Sequence, residues 1–207
     1  HFNCKFSDQR QEVKAYQYQI IDSKGNLVKE WIEEKIAAGK NVIGDWQQIV
    51  IEDKKELNYL VDNLNLKNGK EYFVKVRAVY QDNSYSKIGW SNGIVIDTTT
   101  PKELYIDDGS YTTSHKLSLK WGAIDRESSV LSYQIKIGTT PEGDDLTKGW
   151  ISLDKSGTGE LRELELKAGK LYFVTLKVIN GAGLVKIKKS NGFRVDDTPP
   201  PIPKILD

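Results

Sequence analysis

Apolar and polar residues alternate with period two through most of this chain. Leu117, Leu119 and Trp121 alternate with Ser118 and Lys120, and Leu131, Tyr133, Ile135 and Ile137 with Ser132, Gln134 and Lys136. Tyr72, Val74, Val76 and Ala78 alternate with Glu71, Lys75 and Arg77, and Phe2, Cys4 and Phe6 with Asn3 and Lys5. Successive side chains of a strand point to opposite faces, so each run predicts a strand with one buried and one solvated face. Turn-forming clusters separate the runs: Asp107-Asp108-Gly109-Ser110, Thr140 to Asp145, Gly157-Thr158-Gly159 and Gly181-Ala182-Gly183. Short strands, polar turns and no sustained helical period predict an all-β sandwich.

The pattern occurs twice. Leu66-Lys67-Asn68-Gly69-Lys70-Glu71-Tyr72-Phe73-Val74 returns as Leu166-Lys167-Ala168-Gly169-Lys170-Leu171-Tyr172-Phe173-Val174. Ser91-Asn92-Gly93-Ile94 returns as Ser190-Asn191-Gly192-Phe193, and Tyr18-Gln19-Ile20 is matched to Tyr133-Gln134-Ile135. A period near 100 residues is too long for a solenoid and predicts tandem domains. The expected division is residues 1–98, residues 99–198, and a linker with the start of a further module at residues 199–207. The segment with Thr98 and Pro101 would be a Pro-stiffened linker. His1-Phe2 aligns with the second strand of the repeat, so the first copy lacks a first strand. Either the sequence starts late within the unit or the edge is open, which carries an aggregation risk.

One stretch breaks the period. From Ile20 to Trp46 there are 26 positions, against 15 from Ile135 to Trp150. The extra residues place Val28, Trp31, Ile32, Lys35 and Ile36 on one helical face, with Asn26 as N-cap and Gly39 just past the end. They predict a short amphipathic helical insertion near residues 27–38, with Trp31 mostly buried.

Taken together, these residues resemble the fibronectin type III family over nearly the whole chain. The second copy supplies Trp121, Tyr133-Gln134-Ile135, Leu166, the run from Tyr172 to Val178, Asn180, Gly183 and Ser190. The first supplies Tyr18-Gln19-Ile20, Leu66, the run from Tyr72 to Ala78 and Ser91, with Phe6 where the family has a Trp. The resemblance implies two Ig-like sandwiches, with Tyr72 and Tyr172 as tyrosine corners whose phenols bond back to backbone. The stretch from Ile137 to Asp145 with Trp150, and the exits at Ile96–Pro101 and Val195–Pro200, are similar to modules of secreted and cell-surface prokaryotic proteins. An extracellular or cell-surface location is implied by that likeness alone.

Composition narrows the function. Lys+Arg is 30 and Asp+Glu 29, a net charge of +1, which gives no electrostatic reason to expect nucleic acid. The lone Cys4 excludes a disulfide framework and a cysteine zinc cluster. No apolar run is long enough to insert in a membrane. His1 and His115 have no nucleophile or carboxylate at a telling spacing, and no phosphate loop or hydrolase elbow occurs. No enzyme activity, cofactor or metal is therefore assigned, although the loop acids Asp107, Asp108, Asp125, Glu127, Asp144 and Asp145 leave calcium open beside their use as turn caps.

The surface residues offer two candidate contacts. Trp90 has Lys189 at the matching position, and Phe73 and Phe173 point away from the core face, so these three are candidates for a partner or inter-domain contact. Trp46 and Trp150 recur at equivalent places, as a packing role requires. Lys186, Lys188 and Lys189 form a basic patch suited to an anionic polysaccharide. The expected role is a non-catalytic spacer or interaction module. Its partners would be other domains of the same polypeptide, a surface protein or a polysaccharide; the alternative is an accessory carbohydrate-binding or adhesion module.

Overall fold

The structure, a computed structural model, describes residues 2–5, 13–28, 42–43, 46–50, 56–61 and 64–201. The chain divides into two compact units, residues 1–97 and 98–207. Every regular element among the described residues is a strand.

The second unit begins its strands at β9 (Lys102–Asp107), in a chain count that gives the first unit eight among the described residues; β10 (Tyr111–Thr112), β11 (Lys116–Ile124), β12 (Val130–Gly138) and β13 (Ile151–Leu153) follow. After them come β14 (Thr158–Arg162), β15 (Leu171–Asn180), β16 (Val185–Lys189) and β17 (Phe193–Val195). One sheet has the order β14-β11-β9; the other has β10-β17-β15-β12-β13, with β16 also on β15. The alternation explains the core directly. Leu117, Leu119 and Trp121 of one sheet meet Tyr133, Ile135, Ile137, Val174, Leu176, Val178 and Phe193 of the other, all buried. Fully burying such side chains is worth about 1.5–3 kcal/mol each, enough to hold two sheets face to face without a disulfide. The indole Nε1–H of buried Trp121 donates to the Asp154 carbonyl at 3.3 Å. Gly157 occupies the turn at φ 78°, but Thr158 and Gly159 belong to β14 and are not part of the expected turn.

The first unit repeats this plan with β1 (Phe2–Lys5), β2 (Val13–Asp22), β3 (Val42–Ile43), β4 (Trp46–Val50), β5 (Glu56–Tyr59), β6 (Glu71–Tyr80), β7 (Gly89–Trp90) and β8 (Ile94–Val95). One sheet is β1-β5, and the other is β3-β4-β2-β6-β7 with β8 also on β6. Among the described residues no strand stands where β9 and β10 stand in the second unit.

The longest sequence repeat encodes one corner. Tyr72 and Tyr172 each accept, on the phenolic oxygen, the backbone N–H of Lys67 and Lys167, both at 3.1 Å. The surrounding backbone bonds also recur, Lys70 N–H to Lys67 and Lys170 N–H to Lys167 among them. A buried hydroxyl needs a partner, and this one ties the turn to the start of the long strand.

Strand register corrects the match between the copies. With Tyr72 set on Tyr172, Tyr16 pairs with Ala78 as Tyr133 pairs with Val178. Tyr16-Gln17-Tyr18 is therefore the counterpart of Tyr133-Gln134-Ile135, two residues before the expected Tyr18-Gln19-Ile20. A bulge recurs in that register, at Lys14 in β2 and at Leu131 in β12. It also corrects the core: Leu131 is turned out to solvent, 56% exposed, and Val130 packs inward in its place.

The helical insertion fails at its start and lies otherwise outside the described residues, Trp31 included. Asn26 does not cap a helix; its N–H and side-chain amide both donate to the Asp22 carboxylate in a turn. Leu27 then bridges Ile21, and Val28 N–H donates to the Ile20 carbonyl, so the chain turns back extended along β2. Phe6, set against Trp121, and Ile202–Asp207, read as the start of a further module, also lie outside the described residues.

Candidate functional site

Each long strand shows its odd-numbered residues on the face opposite the core: Phe73, Lys75 and Arg77 on β6, Phe173, Thr175 and Lys177 on β15. In the first unit this face carries an interleaved row of rings and cations. The Arg77 guanidinium lies 4.2 Å from the Trp46 ring centre and 3.9 Å from that of Tyr85. Its Nε–H donates to Gln17 Oε1 at 2.8 Å, and Gln17 Nε2–H donates to Gln48 Oε1 at 3.0 Å. Two residues back along β6, the Lys75 ammonium sits 4.6 Å from the Trp90 ring centre. Cation–ring contacts contribute about 0.5–1 kcal/mol at exposed sites and more when desolvated, so Arg77, placed against two rings and a hydrogen bond, anchors the row.

The sequence-derived candidates fall as follows. Trp90 stands on β7 opposite Lys75 and is 60% exposed. Phe73 lies on the same face, but it lies against Gly93 at φ +85°, where an added Cβ would come 2.7 Å from its ring. Phe173 lies in the same way against Gly192, which is at φ +89°. Only glycine combines that backbone angle with that approach, so both Phe rings are half-buried by a repeated backbone contact. The lysines divide: register puts Lys189 opposite Thr175 on the outer face, and Lys186 and Lys188 opposite Val178 and Leu176 on the other. Lys189 also forms an ion pair with Glu142 at 2.6 Å.

Lys75, Arg77 and Tyr85 were not singled out from sequence. Their signal was available: Lys75 and Arg77 are two apart on a strand whose alternate residues are core, which places both cations on the outer face beside any aromatic of the next strand. The second unit has a reduced version. Lys177 and Lys136 stand 4.2 and 5.3 Å from the Trp150 ring centre, and Val185 and Lys189 replace Tyr85 and Trp90.

Asp107, Asp125 and Asp145 of the loop acids cap turns. Asp107 accepts the Gly109 N–H, and Asp125 accepts the Ser128 N–H and the Asn180 side-chain amide. Asp145 accepts both the N–H and hydroxyl of Thr139, and the backbone bond in particular holds its carboxyl below the usual range. Asn180, fully buried, also donates to the Thr99 carbonyl and accepts the Leu184 N–H, tying three segments of the second unit together.

No helix among the described residues is long and apolar enough to cross a membrane. No family model and no curated protein matches the chain. Among solved structures it is similar to the fibronectin type III domains of the chicken CNTN1 FN1–FN3 structure, at 14% identity with a TM-score of 0.41. That match covers 92% of this chain, which spans 60% of the length of the other.

Proposed function

We propose that the chain is a non-catalytic interaction and spacer segment of a larger extracellular or cell-surface protein, built from two fibronectin type III-like domains joined near Thr98–Pro101. The outer face of the first domain is its contact surface. The observation that carries this reading is the row Trp46, Arg77, Tyr85, Lys75 and Trp90, on a sheet face that the core does not use. Rings held flat by cations give a partner a rigid amphipathic platform at low entropic cost, and Trp and Arg are the residue types that dominate interface energies. The partner it suits is a protein surface with carboxylates at its rim.

The second reading is a polysaccharide, favoured by the exposure of Trp90, since a sugar ring stacks on an open indole. The two separate in one experiment. The whole chain is screened against cell-surface proteins and an array of neutral and acidic polysaccharides, with Trp90→Ala beside it. Loss of a protein contact by at least tenfold in Trp90→Ala supports the first reading. A glycan hit lost in the variant supports the second, and binding equal in both proteins removes this face from either.

A further inference from the structure

Four Asn-Gly steps occur in the chain: Asn68-Gly69, Asn92-Gly93, Asn180-Gly181 and Asn191-Gly192. Glycine has no Cβ to screen its backbone nitrogen, so that nitrogen can attack the side-chain carbonyl carbon of the asparagine before it. The fold must supply two conditions: a glycine amide not committed to a backbone bond, and an asparagine open to water.

Two steps fail one or both conditions. Gly69 donates its N–H to the Ile96 carbonyl at 2.7 Å. Gly181 donates to the Ser129 carbonyl at 2.9 Å. Asn180 is also fully buried, its side-chain amide donating to Thr99 and Asp125 and its oxygen accepting from Leu184. The other two steps meet both. Asn92 and Asn191 are exposed. The N–H groups of Gly93 and Gly192 make long bonds, 3.4 and 3.2 Å, to the hydroxyls of Ser91 and Ser190. Each hydroxyl already accepts a shorter bond at 2.9 Å, from Val74 or Val174, which leaves the glycine amide weakly held. The two loops are equivalent: both glycines are left-handed, at φ 85° and 89°, and lead into Ile94 and Phe193, which pair with Tyr72 and Tyr172. Ile94 is 63% exposed and Phe193 fully buried, so the shared feature is the loop itself and not the residue that follows it.

We propose that Asn92 and Asn191 are modification sites, at which the folded chain converts asparagine to isoaspartate through a succinimide. The nitrogen of Gly93 or Gly192, having given its proton to solvent hydroxide, bonds to the asparagine Cγ. The Cγ–Nδ2 bond breaks, the side-chain nitrogen leaves as ammonia, and a five-membered imide closes. Water then adds to one of the two imide carbonyls. Opening at the backbone carbonyl gives isoaspartate, and opening at Cγ gives aspartate. One water enters and one ammonia leaves, with no change of oxidation state. Each product places a carboxylate two residues after Trp90 or Lys189. Isoaspartate also adds a methylene to the backbone, and the close approach of Gly93 to Phe73 and of Gly192 to Phe173 must shift to take it up. The inference rests on the bonds of these two loops and does not depend on the reading given for the Trp90 face.

The test holds the whole chain for several days in mildly alkaline buffer made with heavy-oxygen water. The chain is then digested and mapped by mass spectrometry, with electron-transfer fragmentation to separate isoaspartate from aspartate. The expected result is conversion at Asn92 and Asn191 at least tenfold faster than at Asn68 and Asn180, with isoaspartate the larger product. The same chain unfolded in urea should convert all four steps at comparable rates, because the fold is what tells them apart. Conversion fastest at Asn68 or Asn180 in the folded chain, or equal there at all four steps, would overturn the proposal. So would a folded chain that keeps Asn92 and Asn191 intact while the urea sample converts.

Discussion

At the tyrosine corner the two units share the same phenol-to-backbone bond at the same 3.1 Å, the same Ser hydroxyl accepting from Val74 or Val174 at 2.9 Å, and the same Phe laid on a left-handed Gly. At the first-strand side the described residues differ, and Phe193 and Ile94 have opposite environments. The contrast separates two kinds of repeat residue. Those that satisfy local backbone are kept in both copies, whatever packs around them. Those that fill the core depend on the opposing strand, and they loosen where it is absent among the described residues.

The largest expected effect tests that separation. Phe193→Ala leaves a cavity between two sheets and should cost about 3–5 kcal/mol, whereas Ile94→Ala at the equivalent position should cost under about 1 kcal/mol. Hydrogen exchange of the β15 and β6 amides reads each unit by itself. Equal losses at the two positions would mean that Ile94 and Phe193 do not differ in burial in solution.

A second difference lies inside the core. Gln47 faces inward opposite Tyr18 and is buried, and its Nε2 has no hydrogen-bond partner among the described residues. The second unit has Ile151 there. An unpaired buried amide costs about 1–3 kcal/mol, so Gln47→Ile should stabilise the first unit by an amount in that range. A loss of stability in the same β6 exchange measurement would show that the amide has a role this contrast does not capture. Smaller still, Tyr72→Phe and Tyr172→Phe each remove one neutral hydrogen bond and should cost about 1 kcal/mol. The loss should be larger in the second unit, where the corner is better covered. Denaturant midpoints followed unit by unit decide it, and a larger loss in the first unit would sink the argument.

The alternation made the strands legible, and the Leu66–Val74 repeat made the corner legible, because local hydrogen bonding needs particular residues at fixed spacing. The register of β2 was not, since Tyr16-Gln17-Tyr18-Gln19-Ile20 is itself a two-residue repeat and a slip of two keeps every side chain on its face. The bulge that pushes out Leu131 was invisible for the same reason: a bulge changes phase without a required residue type. Nor could alternation reveal that β2 is buried on both faces from Ala15 to Ile21, since Gln17 and Gln19 read as solvated. Of the residues on the outer face, Trp90 stood out in the sequence because its counterpart differs, and Arg77 did not because it looks like any surface cation of a half-buried strand.

The smallest prediction concerns a group that, among the described residues, only the second unit has. Asp108 follows β9, is buried, and has one carboxylate oxygen without a hydrogen-bond partner among the described residues. Burial pushes its carboxyl above the ordinary 3.8, a rise that the Ser190 hydroxyl bonded to it only partly offsets. Ser91, the counterpart of Ser190, has no carboxylate in the place of Asp108 among the described residues, because the strand that leads to it has no counterpart there. The sign follows from linkage. A raised folded value means that the contribution of Asp108 to stability is fully present below its unfolded value and is lost as pH rises through the folded one. Asp145, held low by Thr139, acts oppositely: its contribution is present above its unfolded value and is lost as pH falls through the folded one. A carbon-detected titration of the side-chain carboxyls should place the Asp108 midpoint above that of Asp145, and Asp108→Asn should flatten the decline in stability of the second unit as pH rises from the unfolded value to that midpoint. A midpoint for Asp108 at or below that of Asp145 would mean that the first-strand side of the second unit is open to water, and the contrast between the units would lose its basis.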